Sequence, residues 1–338
     1  MNVVSAITGL PYVGKTTLFN LLTGAHASTG AFAGAEAETN VGVAKVPDQR
    51  VEELAALYKP KKITHAEIMY RDIGLARAEK PGQAISPQKL GDLRTADAIV
   101  HVVRAFSAPS VPHVDGSVDP VRSKGPEREM KEREKAVLRR AIAALAEERP
   151  LRDLDLDPDE EKAIRGFRFL TRMPVLVAVN LDEDDVAEPE RVIAPVREAA
   201  KAHRASVVVP VSAKLEAEIA ELPPDEAASF RRDLGLAEPA LDRLIRATYE
   251  LLGLCSFFTV GEDEVRAWTV PYGAPAQQAA GAIHTDLERG FIRAEVIGWQ
   301  ELLKAGSEAN AKKLGVMRTE GKTYPVKDGE ILHVLFNV

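Results

Sequence analysis

The chain has 338 residues, 45% of them apolar, 28% charged and 5% aromatic, a globular composition that excludes disordered, collagen-like and membrane-embedded classes. Its 44 Lys and Arg against 51 Asp and Glu give a net charge of −7, which excludes the basic footprint of a protein that coats nucleic acid, so any RNA contact is local. A single cysteine, Cys255, cannot form an internal disulfide and is expected as core filler in a reducing compartment.

In chain order, residues 3–7 form a short β-rich run, 9–14 a glycine loop, and 15–23 a helix with Leu18, Leu21 and Leu22 on one face and Gly24 as its C-cap. The run starts without a basic n-region and long apolar segment, and no stretch reaches membrane-spanning length, so a cytoplasmic protein that does not engage a membrane is expected. Further β-like runs lie at 66–72, 98–106, 174–180 and 206–211, separated by helix-length segments. Strands alternating with helices predict an α/β fold with a parallel sheet covered on both faces. Residues 122–149 are charge-dense, with Val137, Leu138, Ile142 and Leu145 at helical spacing, and predict an exposed, coiled-coil-like helical insertion. After a helix ending near Gly253 the composition shifts to Phe257, Phe258, Trp268 and Val270. The chain then closes through an Asp328-Gly329 turn, which predicts a separate small α+β domain.

The strongest motif is Gly9-Leu10-Pro11-Tyr12-Val13-Gly14-Lys15-Thr16, a complete G-x-x-x-x-G-K-[ST] after a strand and before a helix. In such a loop, backbone N–H groups and a helix N-terminus face phosphate oxygens. The nucleotide-binding candidates here are Leu10, Pro11, Tyr12, Val13, Gly14, Lys15, Thr16 and Thr17. Lys15 is expected to reach the β- and γ-phosphates and so to be a catalytic candidate as well, and the Thr16 hydroxyl to bind Mg²⁺. Asp72, at the end of a neighbouring β run, is the candidate carboxylate for the metal, and Gly74 after it is the candidate γ-phosphate sensor.

A base reader is expected after a later strand. Residues 174–179 run into Asn180-Leu181-Asp182-Glu183, which differs from the guanine reader Asn-Lys-x-Asp at two positions. Adenine presents an acceptor at N1 where guanine presents a donor. A longer, displaced carboxylate at Glu183 therefore suggests weakened guanine preference, with adenine as the alternative. Ser212-Ala213-Lys214 follows the last strand as a turn that backs a purine, adding Ser212 and Ala213 to the site together with Asn180, Leu181 and Glu183.

With these motifs in order, the chain resembles the YchF subfamily of Obg-related P-loop proteins. The resemblance rests on GLPYVGKTTLFNLLTG, NVGVAKVPDQRV, ADAIVHVVRAF, NLDED, VVVPVSAKLEAEIAEL and the tail from EVRAWTVPYGAPAQQAAGAIHTDLERGFIRAEVI to GKTYPVKDGEILHVLFNV. It implies a doubly wound, mainly parallel P-loop NTPase sheet (1–121 and 168–253), a helical insertion (122–167) and a C-terminal β-grasp TGS domain (254–338). It implies a Mg²⁺-dependent ATPase that binds the ribosome, through rRNA and proteins of the large subunit, as a monomer without DNA or membrane partners. It also makes His113 the candidate catalytic residue that orients water.

Three departures stand against the family pattern. Asp72-Ile73-Gly74 is one residue shorter than the family's Asp-Ile-Ala-Gly, the position of the switch threonine is Glu36 with Thr39 as a local substitute, and the insertion is short. These leave two alternatives open: a GTPase of the translation-factor type, and a nucleotide-sensing module with little hydrolysis. The short basic clusters 59–62, 139–140 and 312–313 read as solvated faces.

Overall fold

The computed structural model describes residues 3–9, 13–25, 27, 39–73, 87–105, 132–234, 236 and 238–337. The candidates Leu10, Pro11, Tyr12, Gly74 and His113, and Glu36 at the switch position, lie outside the described residues. The chain forms two compact units, one built from residues 4–43 and 69–247, the other from 1–3, 44–68 and 248–338.

The first unit is organised on a six-stranded sheet. Its strands are β1 (Val3–Thr8), β2 (Asn40–Lys45), β4 (Glu67–Asp72), β5 (Ala98–Ala105), β6 (Val175–Leu181) and β7 (Ser206–Val211), in the order β2-β4-β1-β5-β6-β7; β3 (Lys62–Thr64) falls elsewhere. β1, β5, β6 and β7 run parallel, in a register that sets Thr8 beside His101 and Asn180 beside Val211. The near-continuous apolar runs of β1 and β6 are what a sheet buried on both faces requires, and Ala6, Ile7, Leu176, Ala178 and Val179 are fully buried. The helix Glu190–Lys201 covers part of this sheet by setting Ile193 against Val179 and Leu181. Each of the five predicted strand runs is a strand, and Gly24 caps the helix Lys15–Thr23 in a left-handed conformation.

The described part of the expected insertion belongs to this unit. Its helix Glu132–Ala146 buries a different stripe from the one expected: Val137, Ala141 and Ala144 pack inward, while Ile142 is 68% exposed. Alanines give the closer approach, since Ala141 and Ala144 meet Leu151 and Leu154 with Phe169 beside them.

The second unit carries the strands β8 (Leu254–Thr259), β9 (Glu264–Pro271), β10 (Phe291–Gly298), β11 (Arg318–Glu320) and β12 (Glu330–Phe336), with sheet order β11-β10-β12-β8-β9-β3. The helix Ala276–Ile283 lays Ala276, Ala279 and Ala280 onto a core of Phe257, Val270, Phe291 and Val296. Cys255 belongs to this core, where burial pushes its thiol up to about 11, so it is an inert apolar filler as expected.

One segment sits differently from the domain limits drawn on the sequence. Residues 44–68, expected with the nucleotide-binding domain, form part of the second unit. β3 pairs in parallel with β9, and Arg50 on the helix Gln49–Tyr58 bonds both Asp48 and Asp328, the latter at 2.6 Å. Burial opposes the Arg50 charge, yet the hydrogen bonds to Asp48 and Asp328 hold its guanidinium above its ordinary value. Gly329, at φ 84°, is required at the predicted turn, because a Cβ there would lie 2.8 Å from the Trp299 ring and 2.9 Å from Arg50 Nη1.

The basic clusters are largely engaged by acidic partners: Lys61 with Asp263, Lys62 with Glu264, Arg140 with Glu160 and Lys312 with Glu295. Among the described residues no helix is long and apolar enough to cross a membrane.

Candidate functional site

The site lies at the C-terminal ends of β1, β4, β6 and β7, where open α/β sheets bind ligands. After β1, the chain passes through Val13 and Gly14 into the helix Lys15–Thr23. Gly14 adopts φ 95°, and a Cβ on it would stand 2.6 Å from Asn180 Nδ2, so both backbone angle and space select glycine here. Lys15 is only 8% exposed, and burial holds its ammonium below the ordinary lysine range while nearby Asp72 pulls it back up. A desolvated ammonium at a helix N-terminus is suited to an anionic ligand.

Asp72 closes β4. Its Oδ2 accepts a 2.7 Å hydrogen bond from the Thr16 hydroxyl, while its buried Oδ1 has no hydrogen-bond partner. An orphaned carboxylate oxygen beside a hydroxyl is a hard-oxygen pair that fits Mg²⁺, which takes few protein ligands and fills its octahedron with water and phosphate. Among the described residues no group of three or more His, Cys, Asp or Glu side chains able to hold a metal occurs.

The other end of the site is assembled by Asn180 at the close of β6. Its Nδ2 donates to the Val13 carbonyl at 3.2 Å and its Oδ1 accepts from the Ala213 N–H at 3.0 Å, so one buried amide links the glycine loop to the Ser212-Ala213-Lys214 turn. Ser212 caps the helix Ala213–Ala220 by accepting from the Leu215 N–H. Glu183 opens a short 3₁₀ turn whose first N–H is held by Asp182 Oδ1 at 2.8 Å. A cleft of about 500 Å³ lies between Gly14 and Thr17, Asn180 and Glu183, and Ala213 and Lys214. Its volume is in the usual range for a small-molecule site.

Val13, Gly14, Lys15, Thr16, Thr17, Asp72, Asn180, Leu181, Glu183, Ser212 and Ala213, all predicted from sequence, converge on this region. Thr39 is engaged elsewhere: its hydroxyl donates to Asp92 Oδ2 at 2.9 Å, a bond that has to break before Thr39 can serve a γ-phosphate. Two neighbours of the site carry no sequence signal for a role of their own. Lys214 forms an ion pair with Glu183 Oε1 at 2.6 Å; the Ser-Ala-Lys triplet contained it without revealing its partner. His101 lies 3.2 Å from the Thr8 hydroxyl, and burial together with the Lys15 charge keeps its imidazole below the ordinary range. Only the β1–β5 register brings it there.

A family model named YchF-GTPase_C and described as a protein of unknown function (DUF933) matches residues 254–337, and one described as ferrous iron transport protein B matches residues 3–83. The chain is 39% identical over 367 residues to the ribosome-binding ATPase YchF of Bacillus subtilis (strain 168), covering 100% of both chains. It is 42% identical over 360 residues to the protein of that name from Escherichia coli O157:H7, covering 98% of each. Among solved structures, the Schizosaccharomyces pombe YchF GTPase superposes with a TM-score of 0.82 at 29% identity, over 99% of this chain and 98% of that one. A GTP-binding protein from Pyrococcus horikoshii OT3 shares the fold, with a TM-score of 0.57 at 18% identity over the full length of both chains. With 39% and 42% identity over 98–100% of both chains, the chain belongs to the YchF family.

Proposed function

We propose that this protein is a Mg²⁺-dependent P-loop ATPase that works on the ribosome. The observation that carries the chemistry is the Thr16–Asp72 pair near buried Lys15, with one buried carboxylate oxygen left without a hydrogen bond. The ribosome is supported by the relatives named ribosome-binding ATPase YchF, which this chain matches over nearly its whole length.

In this reading the N–H groups of the loop through Val13 and Gly14 cradle the phosphates, and Lys15 sits against the β- and γ-phosphoryl oxygens. Thr16 and Asp72 hold Mg²⁺, which supplies neutralisation of the charge that builds on the phosphoryl oxygens. Hydrolysis forms a bond from the water oxygen to the γ-phosphorus and breaks the bond from that phosphorus to the bridging oxygen, which leaves with ADP; the water's proton ends on the phosphate product or in solvent. His113, which lies outside the described residues, is assigned by the family resemblance to orient that water. Asn180 holds the purine pocket in shape, and Leu181, Glu183, Ser212 and Ala213 border the base. The cytoplasm, a large-subunit contact and a monomeric state complete the assignment.

Calorimetric titration with ATP tests the site. Lys15→Ala is expected to abolish measurable ATP affinity, and unchanged binding would contradict the assignment. A second reading, GTP as substrate, is favoured by the solved relative titled a YchF GTPase, and competition between ATP and GTP decides between them.

A further inference from the structure

Glu183 and Lys214 stand at the base end of the cleft, 31 residues apart, on the 3₁₀ turn after β6 and on the first turn of the helix Ala213–Ala220. The Lys214 Nζ is 2.6 Å from Glu183 Oε1, and 3.9 Å from Glu218 one helical turn on. The Glu183 side chain is 35% exposed and that of Lys214 72%, which places the pair at the mouth of the cleft. The Glu183 backbone is fixed by its bond to Asp182 Oδ1, so the carboxylate leaves a defined point. Hydrogen bonding to Glu183 holds the Lys214 ammonium above its ordinary range.

We propose that Lys214 is a positioning residue for base choice, acting through Glu183 by occupying one of its two carboxylate oxygens. The proposal rests on the nucleotide reading above and adds how the purine is selected. Guanine offers two adjacent donors, N1–H and the 2-amino group, and reading them takes both oxygens of a free carboxylate. Adenine offers one donor, the 6-amino group, beside an acceptor at N1. With the Lys214 ammonium 2.6 Å from Oε1, only Oε2 of Glu183 is clear of a cation, enough for the adenine amine and half of what guanine needs. A guanine in the cleft then has one N–H without a protein acceptor, a poorer match than adenine makes. The ammonium carries three donors, and paired as an ion with Glu183 it still presents donors that match adenine N1.

The test measures the dissociation constants of Mg·ATP and Mg·GTP by calorimetry, using the full chain in wild-type, Lys214→Ala, Lys214→Arg, Glu183→Gln and Lys214→Ala/Glu183→Gln forms. The wild type is expected to prefer ATP. Lys214→Ala is expected to lower the ATP-over-GTP affinity ratio about fivefold, the effect of one hydrogen bond gained by guanine. Lys214→Arg should retain the wild-type ratio. On the Glu183→Gln background, Lys214→Ala should move the ratio by less than about twofold, as coupling through Glu183 demands. The proposal is overturned by an unchanged ratio in Lys214→Ala, by an equal loss of both nucleotides, or by the same change of ratio with and without Glu183. A wild-type preference for GTP overturns it too, while leaving the triphosphate site standing. Failure of the wild type to bind either nucleotide removes the nucleotide reading itself, an outcome distinct from the others.

Discussion

Asn180 and Ala213, on successive strand–loop junctions of the sheet, are joined by a 3.0 Å hydrogen bond from the Ala213 N–H to Asn180 Oδ1, while the other end of the same amide holds the Val13 carbonyl. The glycine loop and the Ser212-Ala213-Lys214 turn are thus cross-braced by one buried side chain. Asn180→Ala is expected to leave a buried N–H and a buried C=O without partners and to cost about 2 kcal/mol. Urea unfolding of the nucleotide-free protein measures it; a change within about 0.5 kcal/mol, typical of an unconstrained surface site, would contradict the bracing role.

Gly14→Ala tests the same brace from the opposite side. The new Cβ would stand 2.6 Å from Asn180 Nδ2 on a backbone at φ 95°. Moving the Asn180 amide aside and holding alanine at this angle together cost about 2 kcal/mol or more. ATP affinity is therefore expected to fall at least about tenfold, and an ATP titration that matches the wild type would remove the steric argument.

Arg50→Met tests the assignment of residues 44–68 to the second unit. The substitution leaves Asp48, whose side chain is 8% exposed, without its ionic partner, whereas Asp328 at 47% is hydrated and contributes little. A loss of about 2 kcal/mol is expected, carried mostly by Asp48. Hydrogen exchange should show weakened protection across β8 and β9. Weakening confined to β5 and β6 would be the wrong outcome.

His101 gives the protein a pH dependence of definite sign. Its imidazole is held below the ordinary value of 6.5 by burial first and by the Lys15 charge second. The unfolded chain therefore takes up a proton at higher pH than the folded one. The His101 contribution is fully present above pH 6.5 and is lost as pH falls from there through the depressed folded value. His101→Gln, which cannot be protonated, should show a shallower loss of stability between pH 7 and 5 than the wild type. Parallel pH–stability curves for the two would show that His101 titrates alike in both states.

Much of this arrangement was legible in the sequence because it is carried by local signals. A strand, a glycine loop and a helix lie within 21 residues, from β1 through the helix Lys15–Thr23, and Asn180 and Ser212 each follow an apolar run directly. What escaped depends on partners far along the chain. β3 is three residues long, its lone apolar residue Ile63 is 43% exposed, and only its pairing with β9 makes it a strand. The helix Glu132–Ala146 buries alanines in place of its larger Ile142, because close approach to Leu151 and Leu154 outweighs side-chain size. The Glu183–Lys214 contact joins two motifs that each read correctly alone, and neither contains the information that the other would neutralise it.

The central claim is that Thr16 and Asp72 form the metal-holding half of a triphosphate site, and calorimetry of ATP binding with Mg²⁺ and with the metal chelated tests it most directly. For the wild type, ATP affinity is expected to fall at least about tenfold on chelation, and for Asp72→Asn, which removes the carboxylate charge at nearly constant volume, the two titrations should nearly coincide. ATP binding to the wild type that is indifferent to Mg²⁺, or an undiminished Mg²⁺ effect in Asp72→Asn, would contradict the account.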